Sequence, residues 1–267
     1  MTEKNAVLES EAQTTDDPRC IPIALDAPIE EGDAIVSPTY TDEEHETWKI
    51  MYARQRDLLP THACQEFLAG MDQLKFPEDR IPSLRDVSRE LDKATGWKLA
   101  RSPGLLHEKD FFELLARRVF PSTDYIRPRK ELDYTPAPDL FHDIFGHCPM
   151  ITLPAFANFY QRIGQAAANA EGDIRVGLVR IYWFTVEFGL VRQNGQDMIY
   201  GNGIASSYGE AKNSTTDAVE KRPFIPEKVA EQPYDIWHFQ PVLFVVDSFE
   251  HLEHSFDDWA KKNGLVK

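Results

Sequence analysis

The stretch Pro138-Asp139-Leu140-Phe141-His142-Asp143-Ile144-Phe145-Gly146-His147-Cys148-Pro149 constrains this chain more than any other. Its two histidines stand five residues apart, with Gly146 just before the second and Pro149 two residues after it. Leu140, Phe141, Ile144 and Phe145 recur at three- and four-residue spacing, which predicts a short buried helix beginning near Pro138. On an α-helix each residue turns roughly 100°, so positions five apart point about 140° away from each other. Gly146 offers a way around this. In the left-handed conformation it would end the helix and swing His147 back toward His142, and Pro149 would not continue the helix. The expectation is helix, then turn, with both imidazoles on one site.

A third ligand is available in Ile181-Tyr182-Trp183-Phe184-Thr185-Val186-Glu187-Phe188-Gly189-Leu190, where Glu187 is the only charged side chain in an apolar and aromatic run. A buried carboxylate is costly unless a cation or hydrogen bonds receive it. Two histidines and one carboxylate with open positions form the facial set of non-haem Fe(II) oxygenases; zinc hydrolases use a similar set tetrahedrally. The plainer alternative is a satisfied buried histidine pair and a glutamate serving a distant helix.

Four blocks, in one order, resemble the pterin-dependent aromatic amino acid hydroxylases. They are Tyr134-Thr-Pro-Ala-Pro-Asp139, His142-Asp-Ile-Phe-Gly-His147-Cys-Pro, Ile181-Tyr-Trp-Phe-Thr-Val-Glu187-Phe-Gly and Ser206-Ser-Tyr-Gly-Glu210. The likeness runs from about Gly96 to Phe249 and is greatest to the bacterial phenylalanine 4-hydroxylases. It implies a mainly α fold with a few short β-strands. It also implies conversion of L-phenylalanine, O2 and a tetrahydropterin to L-tyrosine and a 4a-hydroxypterin. The implied cofactors are Fe(II), held by His142, His147 and Glu187, and tetrahydrobiopterin or a related tetrahydropterin.

The resemblance also assigns residues to the ligands. Gly104, Leu105, Leu106 and Phe111 would pack along the pterin, with Tyr182 nearby; an apolar loop can bond a heterocycle's edge while an aromatic stacks on its face. Arg127 would clamp the substrate carboxylate through its planar fork, Asp139 would hold the guanidinium, and Thr135 would add a hydroxyl. Trp183 and Phe188 would wall the ring pocket, and Gly203 and Ser206 would meet the substrate's polar end. Ser207 and Glu210 would support these groups from behind. Without the resemblance, Arg127 reads as an ordinary loop cation, Leu106 as packing, and the aromatic stripe as core. Relatives carry glutamate where this chain has Ala137 and Asp143. Tyrosine-specific relatives carry aspartate where it has Ile236, so an apolar residue there favours phenylalanine. Tryptophan and tyrosine hydroxylases are the near alternatives. A zinc hydrolase using Asp143 or Glu210 as base is a remoter one, and a structural metal module is disfavoured by the shortage of thiolates.

Over 267 residues the formal charge is −15, which argues against nucleic acid or an anionic membrane as partner. Three cysteines, Cys20, Cys64 and Cys148, form no disulfide framework and fit a reducing cytoplasm. Cys148 is expected not to ligate the metal. No apolar stretch resembles a signal peptide or membrane span. Residues 1–33, acidic and poor in large apolar side chains, read as a disordered tail, and 34–267 as one catalytic domain. The chain shows neither a long N-terminal regulatory domain nor a heptad-rich tail, so a monomer is expected.

Helices are expected from Thr41, from Thr61 and from Ser83 to a stop at Gly96. Further helices are expected after the Pro103-Gly104 loop as far as Phe120, over 153–170, and over 176–188, where Trp183 would share a face with Glu187. Residues 197–210 read as a short strand breaking into turns, Val242–Val246 as a buried strand, and Ser248 as the cap of a last helix ending at Gly264. His251 and His254 on that helix are taken as surface residues.

Overall fold

Thr41 opens the first long helix as its sequence predicts. In the computed structural model, which describes residues 17–133, 135, 137–236 and 238–266, the Thr41 hydroxyl accepts from the Glu44 amide. The Glu44 carboxylate accepts in return from the Thr41 amide at 2.7 Å. This reciprocal cap starts α1, Asp42–Leu58, which buries Trp48 and Met51. The second helix, α2 (Gln65–Leu74), begins later than expected: Cys64 caps it through Sγ, while Thr61 only closes a 3-10 turn, Leu59–Thr61, set by Pro60. The third, α3 (Leu84–Thr95), runs from Ser83 to Gly96, whose φ of 74° is the left-handed stop foreseen for it.

Next, β1 (Lys98–Ser102) and β2 (Val119–Thr123) pair in parallel around α4 (Glu108–Ala116). The helix expected to reach Phe120 therefore stops short. Pro121 is incompatible with a helix interior, Arg118 turns the chain at φ 61°, and all of β2 is buried.

A second sheet has the order β4-β3-β6-β5. Strands β3 (Gly189–Gln193) and β4 (Gln196–Ile199) form a hairpin across Asn194-Gly195, both at positive φ, as the tightest two-residue turn requires. The buried β6 (Val242–Val246) runs parallel to both β3 and β5 (Glu220–Pro223). Helices α6 (Pro154–Ala167), α7 (Gly172–Tyr182) and α11 (Phe249–Lys262) add their apolar faces to one large core. The last is capped by Ser248, as predicted, and Gly264 follows it in the left-handed region. The glycine-punctuated segment after β4 folds as two short helices, α8 (Asn202–Ser206) and α9 (Tyr208–Asn213), not as turns; Ser207 caps the second by accepting from the Glu210 amide. The short α10 (Pro226–Glu231) lies against α7.

Of the acidic segment 1–33, residues 1–16 lie outside the described residues, as do Tyr134, Pro136, Trp237 and Lys267. Residues 17–33 are packed: Ile23 bridges to Leu106, Glu31 bridges to Ala100, and Cys20 is buried. Low hydrophobicity misses this segment because backbone hydrogen bonds hold it. No described helix is long and apolar enough to cross a membrane.

Candidate active site

The two histidines converge, but not by the expected turn. His142–His147 is π-helical and runs straight into α5 (Cys148–Ile151), with Pro149 in its first turn. A π-helix bonds residue i to i+5, so positions that diverge on an α-helix come to lie over one another. The two Nε2 atoms stand 3.1 Å apart. Gly146 is needed for space and not for a left-handed φ: a Cβ there would lie 2.8 Å from the Asn202 carbonyl oxygen of α8.

The carboxylate arrives by the same device. Helix α7 passes into a second π-helical segment, Trp183–Glu187. Its wider turn sets Tyr182, and not Trp183, against Glu187, and the Tyr182 hydroxyl donates to Glu187 Oε1 at 2.9 Å. The Glu187 oxygens lie 3.3 Å from His147 Nε2 and 3.6 Å from His142 Nε2. Among the described residues, these three form the only group of His, Cys, Asp or Glu with atoms close enough to share an ion, all within 4.8 Å of one another. Ligands about 2.1 Å from one ion and at right angles stand about 3 Å apart, so the spacing suits a single cation.

The donor chemistry suits one too. Ser206 Oγ donates to the Asn202 carbonyl at 2.8 Å, so its 2.9 Å contact with His142 Nδ1 is best met by Nδ1–H donating to it. That tautomer leaves the Nε2 lone pair for a metal. His147 Nδ1 lies 2.9 Å from the Tyr160 hydroxyl. Burial pushes the His142 imidazole down to about 4, against the pull of the Glu187 carboxylate. For Glu187, burial raises its carboxyl, but His147, His142 and the Tyr182 hydroxyl outweigh this and hold it at about 2. A neutral imidazole beside an ionised carboxylate is the state that a divalent cation requires. Cys148 is fully buried and its thiol sits 3.7 Å from the Asp143 carbonyl, outside the trio. His251 and His254 do not join any such group, and His251 accepts from the Asp247 amide at the surface.

The trio lines a cavity of about 290 Å³. Of the other residues singled out in the sequence, Leu105, Leu106, Phe111, Arg127, Thr135, Tyr182, Trp183, Phe188, Gly203, Ser206, Ser207 and Glu210 also line it. Gly104 and Asp139 do not. Asp139 stands behind Arg127, gripping it with two 2.8 Å bonds from Nε and Nη2 and accepting its amide as well. Burial would raise the Asp139 carboxyl, but the adjacent guanidinium keeps it below the ordinary range. Trp183 is sandwiched between Phe188 and Tyr234, with ring centres 4.6 and 4.3 Å away. Its indole donates to Gln240 Oε1 at 3.2 Å, and the Gln240 amide donates to Glu210 at 3.0 Å. Glu210 thus backs Trp183 through Gln240 and does not touch the His142, His147 and Glu187 trio.

Tyr160, Asn202, Tyr234 and Gln240 escaped sequence reasoning. The first two approach His147 from α6 and α8, and the others lie on the loop before β6; no local spacing marks them. Asp143 accepts from the amide and hydroxyl of Thr123, at 2.7 and 2.8 Å, and burial pushes its carboxyl up to about 7.

A mainly helical domain carrying a largely buried two-histidine, one-carboxylate set at the wall of a partly aromatic cavity fits a non-haem metalloenzyme. The sequence profile described as biopterin-dependent aromatic amino acid hydroxylase matches residues 22–265. This chain belongs to that family. It is 43% identical to the phenylalanine-4-hydroxylase of Pseudomonas aeruginosa over 213 residues, which cover 80% of this chain and 81% of that one. It is also 43% identical to tyrosine 3-monooxygenase of Bos taurus over 236 residues, 87% of this chain but 48% of the relative; the chain thus spans about half the length of such relatives. The structure of phenylalanine hydroxylase from Chromobacterium violaceum with bound Fe(III) superposes with a TM-score of 0.79 at 38% identity, covering 84% of this chain and 83% of that one.

Proposed function

We propose that this chain is a phenylalanine 4-monooxygenase, forming L-tyrosine from L-phenylalanine and O2 at an Fe(II) site with a tetrahydropterin. The observation that carries the reading is one cavity bounded by the His142, His147 and Glu187 trio, the Trp183 and Phe188 rings, and Arg127, which Asp139 grips from behind. His142, His147 and Glu187 would hold the iron, and Leu105, Leu106, Phe111 and Tyr182 the pterin. When bound, these cofactors supply the electrons and the dioxygen activation. The chain supplies orientation. Arg127, fixed by Asp139, anchors the amino acid's carboxylate beside Thr135; Trp183 and Phe188 confine its ring; Gly203 and Ser206 border the space between. His147 and Glu187 are buried and His142 is partly exposed toward the cavity.

Identity alone does not separate phenylalanine from tyrosine as substrate, since both kinds of relative stand at 43%. Ile236 supports phenylalanine: it lines the cavity, and an apolar wall disfavours a ring that carries a hydroxyl. The catalytic unit is read as residues 34–267, with 17–33 fastened to it, acting as a monomer on small molecules in the cytoplasm. The test is tyrosine formation under air with Fe(II), a reduced pterin and L-phenylalanine, each omitted in turn, with L-tyrosine and L-tryptophan as competing substrates. Strict dependence on all three and a kcat/KM highest for phenylalanine are expected. A higher kcat/KM for tyrosine or tryptophan would move the assignment within the family, and turnover without pterin would overturn it.

A further inference from the structure

Residues 17–23 cross between two walls of the cavity and are fastened to both. At one end Arg19 is held by Asp17 and reaches Glu131 with two bonds, Nη1 to Oε2 at 2.8 Å and Nη2 to Oε1 at 3.2 Å. Glu131 Oε2 also lies 3.2 Å from the Thr135 hydroxyl, which donates to it or to the Ala137 carbonyl. At the other end Ile23 is bonded by its backbone alone: its amide donates to the Leu105 carbonyl at 2.9 Å, and its carbonyl accepts from the His107 amide at 2.7 Å. Leu105, Leu106, Thr135 and Ala137 all line the one cavity. The segment buries little of its apolar surface: Ile21 is 55% exposed and Ile23 37%, and only Cys20 is deeply covered. Its polar fastenings therefore carry it, and among the described residues the fork of Arg19 reaches Glu131, which meets Thr135.

We propose that residues 17–23 are a positioning strap that couples the cofactor side of the cavity to its amino-acid side. Arg19, acting through Glu131 on Thr135, is the positioning residue. The proposal rests on the reading of the Leu105–Leu106 loop as pterin wall and of Thr135 as amino-acid wall. Ordering either loop with its ligand orders the strap, and through it the other loop. Such coupling is reciprocal by thermodynamic necessity.

The test is hydrogen–deuterium exchange on the full chain as wild type, Arg19→Ala and Arg19→Lys, without ligand and with L-phenylalanine. Without ligand, Arg19→Ala is expected to speed exchange severalfold at both 129–137 and 104–107, and Arg19→Lys to recover part of the protection. L-Phenylalanine should slow exchange at 104–107 in the wild type and lose that remote effect in Arg19→Ala, while still acting at 129–137. In turnover, Arg19→Ala should raise KM for the amino acid about fivefold with kcat within about twofold. Unchanged ligand-free exchange at 104–107, a remote effect that survives in Arg19→Ala, or a loss confined to kcat would each overturn the strap. If L-phenylalanine slowed exchange nowhere in the wild type, the substrate reading would fall, and the ligand-free comparison would still decide the strap.

Discussion

His142–His147 and Trp183–Glu187 are both π-helical and both packed among rings, Phe145 on Phe141 and Trp183 between Phe188 and Tyr234. Yet polar partners from other elements hold the ligands of the first, and a tyrosine of its own helix holds that of the second. Around the first, Ser206 takes the Nδ1 side of His142, Tyr160 that of His147, and Thr123 holds Asp143. Around the second, Trp183 lies between Phe188 and Tyr234, and Phe184 meets Phe244 at 5.2 Å; Tyr182 gives Glu187 its polar partner. The first segment presents metal ligands from both its ends. The second presents one ligand from its C-terminal end and, from its first residue, part of the ring wall. On the proposed function, the same backbone device would serve the metal in one place, and metal and substrate together in the other.

The largest effects should come from removing what the second segment gives the metal. Glu187→Ala is expected to abolish iron retention, measured by metal analysis after gel filtration, and to lower turnover by at least ~10³-fold, since open-site metals depend on every protein ligand. Circular dichroism should remain near that of the wild type. An iron-replete, active variant would remove Glu187 from the ligand set and leave the second segment with the ring wall only.

Gly146→Ala attacks the first segment through its packing. The new Cβ would press on the backbone of α8, which is not a flexible side chain that can turn aside. Overpacking of this kind costs about 1–3 kcal/mol, a fall in Tm of roughly 2–12 °C at this chain length, with iron affinity reduced in step. Loss of iron with Tm unchanged would mean that the glycine shapes the ligands locally and not the contact with α8.

Much of this was legible before any coordinates. Spacing and residue type point to the trio and to the caps at Thr41 and Ser83, whereas the Arg127–Asp139 pair is read only from the resemblance. The way the histidines meet did not follow, because a π-turn has no spacing signature of its own: the i, i+5 pair looks divergent until the backbone bonds are known. A glycine beside a histidine invited the wrong explanation, since steric need and positive φ demand the same residue. Contacts across the fold, such as Tyr160 with His147 and Gln240 with Trp183, join residues 13 and 57 apart in sequence, and no periodicity connects them.

Ser206→Ala and Tyr182→Phe compare the two segments directly, because each deletes one outer hydrogen bond to one ligand. Such losses weaken metal binding by about 10–100-fold. Ser206→Ala is expected to loosen the His142 tautomer, while Tyr182→Phe leaves an oxygen of Glu187 without its donor, so each should fall in that range by competitive chelation. A tenfold loss in one and none in the other would show that the segments depend unequally on their outer shells.

The smallest effect separates the segments by charge. Trp183 of the second is backed by Glu210 through Gln240, and Glu210 is buried, with Oε2 lacking a hydrogen-bond partner among the described residues. Burial pushes this carboxyl up to about 7 from an ordinary 4.5, against the opposing hydrogen bonds of Gln240 and Asn213. The folded state then binds more protons than the unfolded state between these values, so stability falls as pH rises from 4.5 through 7. Asp143 acts in the same direction, but it is present in both proteins of a Glu210→Gln comparison and cancels. The amide can still accept from Gln240 and carries no charge to bury. Glu210→Gln is therefore expected to gain about 1–3 kcal/mol at pH 8, roughly 2–12 °C in Tm, and nothing at pH 4.5. Thermal melts across that range decide it. A gain that is the same at every pH would come from packing, and Glu210 would then be ionised behind the ring wall at neutral pH.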